Sequence, residues 1–341
     1  MPNFHRFAAA VSAASLALVM PSCVSAAGQP AYAITSSIPG PDGFWDYSNW
    51  DPASSLVLVG HSTEILAIDP AKGTTRAIGA VKRAHIGLAI PGTDKVLATS
   101  GGDASVRILD LESGKELAKI AVGENPDAAI VAPDGSKAWI MDAESGDVAT
   151  IDLRTESETG RIALKPGLEA GALVAPAELA INNEDESEIE LVDLAAGKAD
   201  GTIAIPGCTA PTGFAYAPER GLSISTCRNG KAALVDVAAR KLVRLVDIGA
   251  GPDGAVYDAK RQRFIVSCGR SGTLSVVDLG APGSAPKVST APSELGARTI
   301  GIDPATGRLF LPTARFGKGE PGKRPPPEPG SFHLLVMSPA A

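Results

Sequence analysis

The chain has 341 residues, 44% of them hydrophobic and 20% charged, with a formal net charge of −7. This acidic balance disfavours duplex nucleic acid or an anionic membrane surface as a partner, since either is repelled unless a local basic patch dominates. Its 37 Gly and 27 Pro are spread along the sequence, which makes them turn punctuation rather than a disordered tract.

Residues 1–26 stand apart. His5 and Arg6 precede an apolar run over 7–20, and Val24, Ser25 and Ala26 place small residues where a signal peptidase cuts. The pattern is that of a secretory signal peptide, too short and wrongly flanked for a membrane span. Cys23, preceded by Met20, Pro21 and Ser22, offers a competing reading as the lipid anchor of a bacterial lipoprotein. Cleavage removes one Arg and no acid, leaving 30 basic and 38 acidic residues and a net charge of −8. The mature chain, 27–341, is therefore expected to be periplasmic or secreted. It has no later apolar run long enough to be a transmembrane span.

The next segment, 31–38, reads as a strand with nothing before it to pair with. Short apolar or β-branched runs then follow in fours, each ended by Gly, Asp, Arg or Ser, the pattern of antiparallel strands with tight turns. The first four repeats cover 44–51, 56–59, 65–69 and 75–78; 86–90, 96–99, 106–110 and 117–122; 128–131, 138–141, 148–152 and 160–164; and 170–174, 179–181, 189–193 and 202–205. Repeats five and six cover 213–217, 222–225, 233–236 and 242–248, then 255–257, 263–266, 274–277 and 286–290. The seventh has 299–303, 309–312 and 332–337, and stops one strand short. Third strands end in Asp69, Asp110, Asp152, Asp193, Asp236 and Asp278, in steps of 41 to 43 residues. A period near 40 with four strands per unit is the signature of a propeller. The orphan strand at 31–38 supplies the missing outer strand of repeat seven, which removes the open sheet edges. The expected fold is all-β, a single seven-bladed β-propeller whose last blade is closed by the N-terminal strand. The six recurring Asp residues sit before turns whose amides they can accept, and are read as structural.

Several motifs resemble those of the YVTN-repeat, YncE-like propellers. These are Asn125-Pro126-Asp127-Ala128, residues 182–187 before Glu188-Ile189, Gly213-Phe214-Ala215, and Gly296-Ala297-Arg298-Thr299. The segment from Cys208 to Gly213, together with Cys227-Arg228-Asn229, and the tail 324–332 add to the likeness. It covers essentially the whole mature chain and implies an exported seven-bladed propeller, usually without an assigned reaction. Repeat four departs from the pattern, with Leu168-Glu169-Ala170 where the family has Lys-Pro-Glu.

In a propeller the first strand of each blade lines the central channel. Five residues back from the end of each first strand lie Asp46, His85, Asp127, Glu169, Thr212, Asp253 and Arg298. They are expected to form one ring at one mouth of the channel, a polar cluster suited to a polar ligand, water or a cation. The alternative is that they cap the turns before each strand and face bulk water, as Asp after Pro commonly does at Asp127 and Asp253. A divalent cation is compatible with the carboxylates and the histidine, and Asp46, His85 and Asp127 form the best set for one ion. His61 and His333 are expected on the same face, solvated at loops or strand ends. Trp45 and Trp50 flank Asp46, either as packing between blades or as an aromatic wall beside the ring. Asp142, Glu144, Glu184 and Asp185 load the loops of blades three and four with negative charge. Arg228, Arg270, Arg315 and Lys318 load those of blades five to seven with positive charge.

Cys208 enters the first strand of blade five and Cys227 leaves the second. Antiparallel neighbours bring those ends together, so a disulfide is expected there. Cys268 is then an odd, buried thiol. No Cys-x-x-Cys-His motif occurs, which excludes covalent haem, and there is no zinc spacing, P-loop or Gly-x-Ser-x-Gly motif. The Pro-rich insertion at 315–330 is either a lid or docking arm on the ring face or a tolerated loop. The sequence therefore reads as a monomeric, non-enzymatic binding or interaction propeller that takes a small polar ligand or a protein partner at the channel mouth. The alternative is a metal-dependent propeller hydrolase of the lactonase type.

Overall fold

The computed structural model describes residues 1–2, 31–317 and 326–340. The proposed signal peptide with Cys23, and Lys318 in the insertion, lie outside the described residues. Seven four-stranded antiparallel sheets follow one another along the chain. The seventh takes its outer strand, Tyr32–Pro39, from the start of the described chain, antiparallel to His333–Pro339. The fold is a seven-bladed β-propeller, and it is closed as the orphan strand at 31–38 implies.

Burial follows position within the blade. Second and third strands such as Leu56–His61, Glu64–Asp69 and Arg263–Cys268 are buried along nearly their whole length, because neighbouring blades cover both faces. Such strands read as continuous apolar runs rather than as alternation. Outer strands such as Glu116–Ala121 and Lys241–Asp247 are mostly exposed and carry Lys, Arg and Glu, charges that blunt a free sheet edge. The core lies between blades. One cluster joins Val57, Leu66 and Trp45 of blade one to Phe310, Leu334 and Val336 of blade seven, across the seam where the ring closes. On its other side blade seven is tied to blade six through Tyr32. Its hydroxyl donates to Asp258 of blade six at 3.2 Å, and the Arg263 guanidinium lies 4.6 Å from its ring centre.

The repeating aspartates act as the turns require. Asp69, Asp110, Asp152, Asp193 and Asp236 each accept backbone amides two or three residues on. Hydrogen bonds from these turns hold Asp69, Asp110 and Asp152 below the usual carboxylate range.

The inner strands differ from the sequence reading in a way that matters for the site. They begin earlier, as at Pro126–Val131, Leu168–Ala175 and Pro252–Asp258. The ring positions of blades one to six therefore lie inside strands rather than in the turns before them. Blade seven has the shortest inner strand, Gly301–Ile302, so Arg298 precedes it.

Candidate functional site

Each inner strand of blades one to six carries a register shift at its ring residue: 45/48, 84/87, 126/128, 168/171, 211/214 and 252/254. A bulge kinks the strand and re-aims a side chain. Two residues before the ring position, blades two to seven place a left-handed residue: Arg83, Asn125, Gly167, Ala210, Gly251 and Gly296. The same two devices thus present a different side chain from blade after blade. The inner strands also approach closely, and a Cβ on Gly213 would collide with the Asp253 carbonyl.

Five of the seven ring residues, Asp46, Asp127, Glu169, Asp253 and Arg298, line one channel cavity of about 360 Å³. They do not merely cap turns. His85 stands behind the wall with its Nδ1 2.7 Å from Asp46 Oδ2 and 2.9 Å from Asp127 Oδ1. Thr212 does not line the cavity; its hydroxyl meets the Thr226 hydroxyl at 3.2 Å and donates to the Asp253 carbonyl at 3.3 Å. Arg298 donates to Asp253 and, at 2.6 Å, to the Trp45 carbonyl, and lies 3.6 Å from Asp46. One connected chain therefore runs Asp253–Arg298–Asp46–His85–Asp127 through blades six, seven, one, two and three. Tyr47 extends it, with its hydroxyl donating to Asp127 at 3.2 Å.

The protonation states follow from this wiring. Burial alone would push His85 down, but hydrogen bonds to Asp127 and Asp46 hold it up at about 10, so it is an imidazolium at neutral pH. Burial pushes Asp253 above the carboxylate range, although Arg298 pulls it back. Glu169 is pushed well up by burial, then by the Asp127 and Asp253 carboxylates, with Glu184 beside it. Among the described residues Glu169 makes no ion pair, whereas Asp46, Asp127 and Asp253 each face His85 or Arg298.

Asp46, His85 and Asp127 each offer a ligand atom within 4.8 Å of the others. The three could hold one ion, but only if it displaces the proton that His85 Nδ1 now shares with both carboxylates. The set is thus a mixed imidazole–carboxylate cage of the kind a transition metal accepts.

Other expected residues fall in unexpected places. His61 is 1% exposed, not solvated, because Phe332 covers it edge-on at 4.9 Å. Burial pushes it below the usual histidine range, against the pull of Glu64 3.3 Å away. His333 is partly buried, with Nε2 2.9 Å from Glu294 and Nδ1 2.8 Å from the Ser331 carbonyl. The aromatic cluster divides: Trp45 packs on Phe332 and Phe316, whereas Trp50 stacks on Phe310 and also lines the cavity. Asp142 is fully buried rather than a loop charge. Burial and the neighbouring Asp147 carboxyl push it to about 8. The opposed loop charges partly neutralise each other, since Arg228 pairs with Glu184. Cys208 and Cys227 form the expected disulfide, and Cys268 is a free, buried thiol. The base of the insertion is not simply solvated backbone. Phe316 bridges Pro327, and the Gly330 amide donates to Asp42 at 2.7 Å.

Tyr47 is the site residue that the sequence reading missed as a partner of the ring. It stands next to Asp46, but only the bulge turns it across to blade three.

No family model and no curated protein matches the chain. Among solved structures it is similar to Kuenenia stuttgartiensis hydrazine synthase, with 15% identity and a TM-score of 0.69, covering 82% of this chain and 94% of that one. A likeness at this identity carries the propeller fold alone. Among the described residues no helix is long and apolar enough to cross a membrane.

Proposed function

We propose that the protein is an exported, YVTN-repeat-like, YncE-like binding propeller that takes a small cationic ligand at its channel mouth and leaves it chemically unchanged. Glu169 carries this reading. A carboxyl with no ion-pair partner, whose ionisation is opposed by burial and by two neighbouring carboxylates, lies in a cavity of small-molecule size and gains its countercharge once an ammonium group enters. A panel of primary amines, benzylamine included, tests it by thermal shift. At least one amine should raise the melting temperature of the mature protein, and Glu169→Gln should weaken that shift about tenfold or more. Failure of every amine to shift the wild-type protein would remove the reading.

The second reading is a metal-dependent hydrolase of the lactonase type, favoured by the convergence of Asp46, His85 and Asp127. Asp46, His85 and Asp127 would hold a divalent ion, which would supply Lewis-acid activation of a water. Metal analysis of the purified mature protein decides it, and absence of stoichiometric metal sinks it.

A further inference from the structure

A second cavity of about 460 Å³ opens on the ring face, lined by Phe44, Trp45, Asp46, Ser62, Thr63, Arg83, Ala84, His85 and Arg298. It shares Asp46 and Arg298 with the channel cavity, but its charge is reversed. The inner cavity sets four carboxyls (Asp46, Asp127, Glu169 and Asp253) against Arg298. The outer one sets Arg83, His85 and Arg298 against Asp46 alone.

Arg83 is the telling residue. At the position two before the ring residue, the other blades carry Phe44, Asn125, Gly167, Ala210, Gly251 and Gly296, all neutral. The backbone there is left-handed in blades two to seven, which costs a side-chain-bearing residue about 1 kcal/mol over Gly. Arg83 bears that cost, yet its guanidinium is exposed and has no hydrogen bond or ion pair among the described residues. Opposite it, Phe44 is 74% exposed, an uncovered aromatic face on a chain poor in aromatics. Trp45 lines the same cavity beside Phe44. A free guanidinium and a bare aromatic ring around one cavity describe the complement of an anion on an apolar body.

We infer that this outer cavity is a separate binding site for a small organic carboxylate, with the carboxylate on Arg83 and its apolar body against Phe44 and Trp45. The site does not depend on cation binding in the channel, because Arg83 and Phe44 line only the outer cavity and Glu169 only the inner one.

Benzoate is the probe, with acetate and inorganic phosphate as controls, titrated into the mature protein by calorimetry. Benzoate should bind with a dissociation constant on the order of 1 mM, and acetate and phosphate at least about tenfold more weakly. Arg83→Gly should weaken benzoate about tenfold or more. It should not disturb folding, because Gly already occupies the matching position in blades four, six and seven. Arg83→Ala is a second such variant, since blade five carries Ala210 there in the same left-handed conformation. Glu169→Gln should leave benzoate binding unchanged while weakening benzylammonium. Benzoate binding that survives both Arg83 variants, is lost equally in Glu169→Gln, or is matched by acetate and phosphate would overturn the inference. So would no benzoate binding at all.

Discussion

The two arcs of the ring are built on different principles. Blades six, seven, one, two and three are joined by a continuous chain of ion pairs from Asp253 to Asp127. Blades four and five offer Glu169, without a cation, and Thr212, turned to its neighbours' hydroxyl and carbonyl. Blade five is held instead by a covalent staple, Cys208–Cys227. In the first arc each charge has a countercharge, so a ligand must displace something to enter. In the second arc one acid is still without its countercharge. The contrast separates what holds the mouth in shape from what is free to bind.

The hardest test of the wired arc is Arg298→Ala. It strands Asp253 and Asp46 together in the channel wall, and should cost about 4 kcal/mol in chemical denaturation. A cost below about 1 kcal/mol would mean that the chain of ion pairs is decoration. The staple of the other arc comes next. The cysteines are 19 residues apart, so Cys208→Ser with Cys227→Ser should cost about 3 kcal/mol in the loop-entropy model, and dithiothreitol should reproduce the loss in the wild-type protein.

Asp142, on blade three at the end of the wired arc, supplies the pH dependence. Its carboxyl is raised in the folded state, so the folded form holds that proton more tightly than the unfolded chain. Its contribution is present below the unfolded carboxylate range and is lost as pH rises towards about 8. Asp142→Asn keeps an acceptor for the Gly123 amide, which now donates to Asp142 at 2.9 Å, and offers Asp147 a permanent donor. It should gain about 3 kcal/mol at pH 8 relative to its effect at pH 5, and equal effects at both would refute the raised carboxyl. Tyr47→Phe should cost about 1 kcal/mol by removing the bond to Asp127. Glu169→Gln should change stability by less than about 0.5 kcal/mol, since Glu169 makes no ion pair among the described residues. A large loss there would place Glu169 in the wired arc and erase the distinction.

The sequence revealed what repeats and concealed what is aimed. Strand count, closure at 31–38, the disulfide and the turn aspartates follow from period and pattern, because every blade obeys the same packing rule. The ring positions were also legible, since they sit at a constant distance from the strand ends. Their pairing was not. A bulge in each inner strand decides whether Asp127 faces water or His85, and no local residue type marks it. His61 and Asp142 were read as surface groups because they sit at strand ends. His61 is covered by Phe332, far away in sequence, and Asp142 by the Gly123 turn and the Asp147 carboxyl. Tyr47 carries no sequence signal for its partner, because its hydroxyl reaches across to Asp127 of another blade.

The seam between the first and last blades has a consequence for how the protein comes into being. Arg298 reaches the Trp45 carbonyl, and Thr299 donates to the Asp46 carbonyl at 2.6 Å, across some 250 residues of chain. The strand Tyr32–Pro39, made early, must wait for His333–Pro339 before its sheet exists. The wired arc therefore straddles the last junction to form, and such distant contacts are slow to make. Until that junction forms, the ring stays open beside Asp46 and Arg298, so the mouth takes its shape only when strands from opposite ends of the described chain meet.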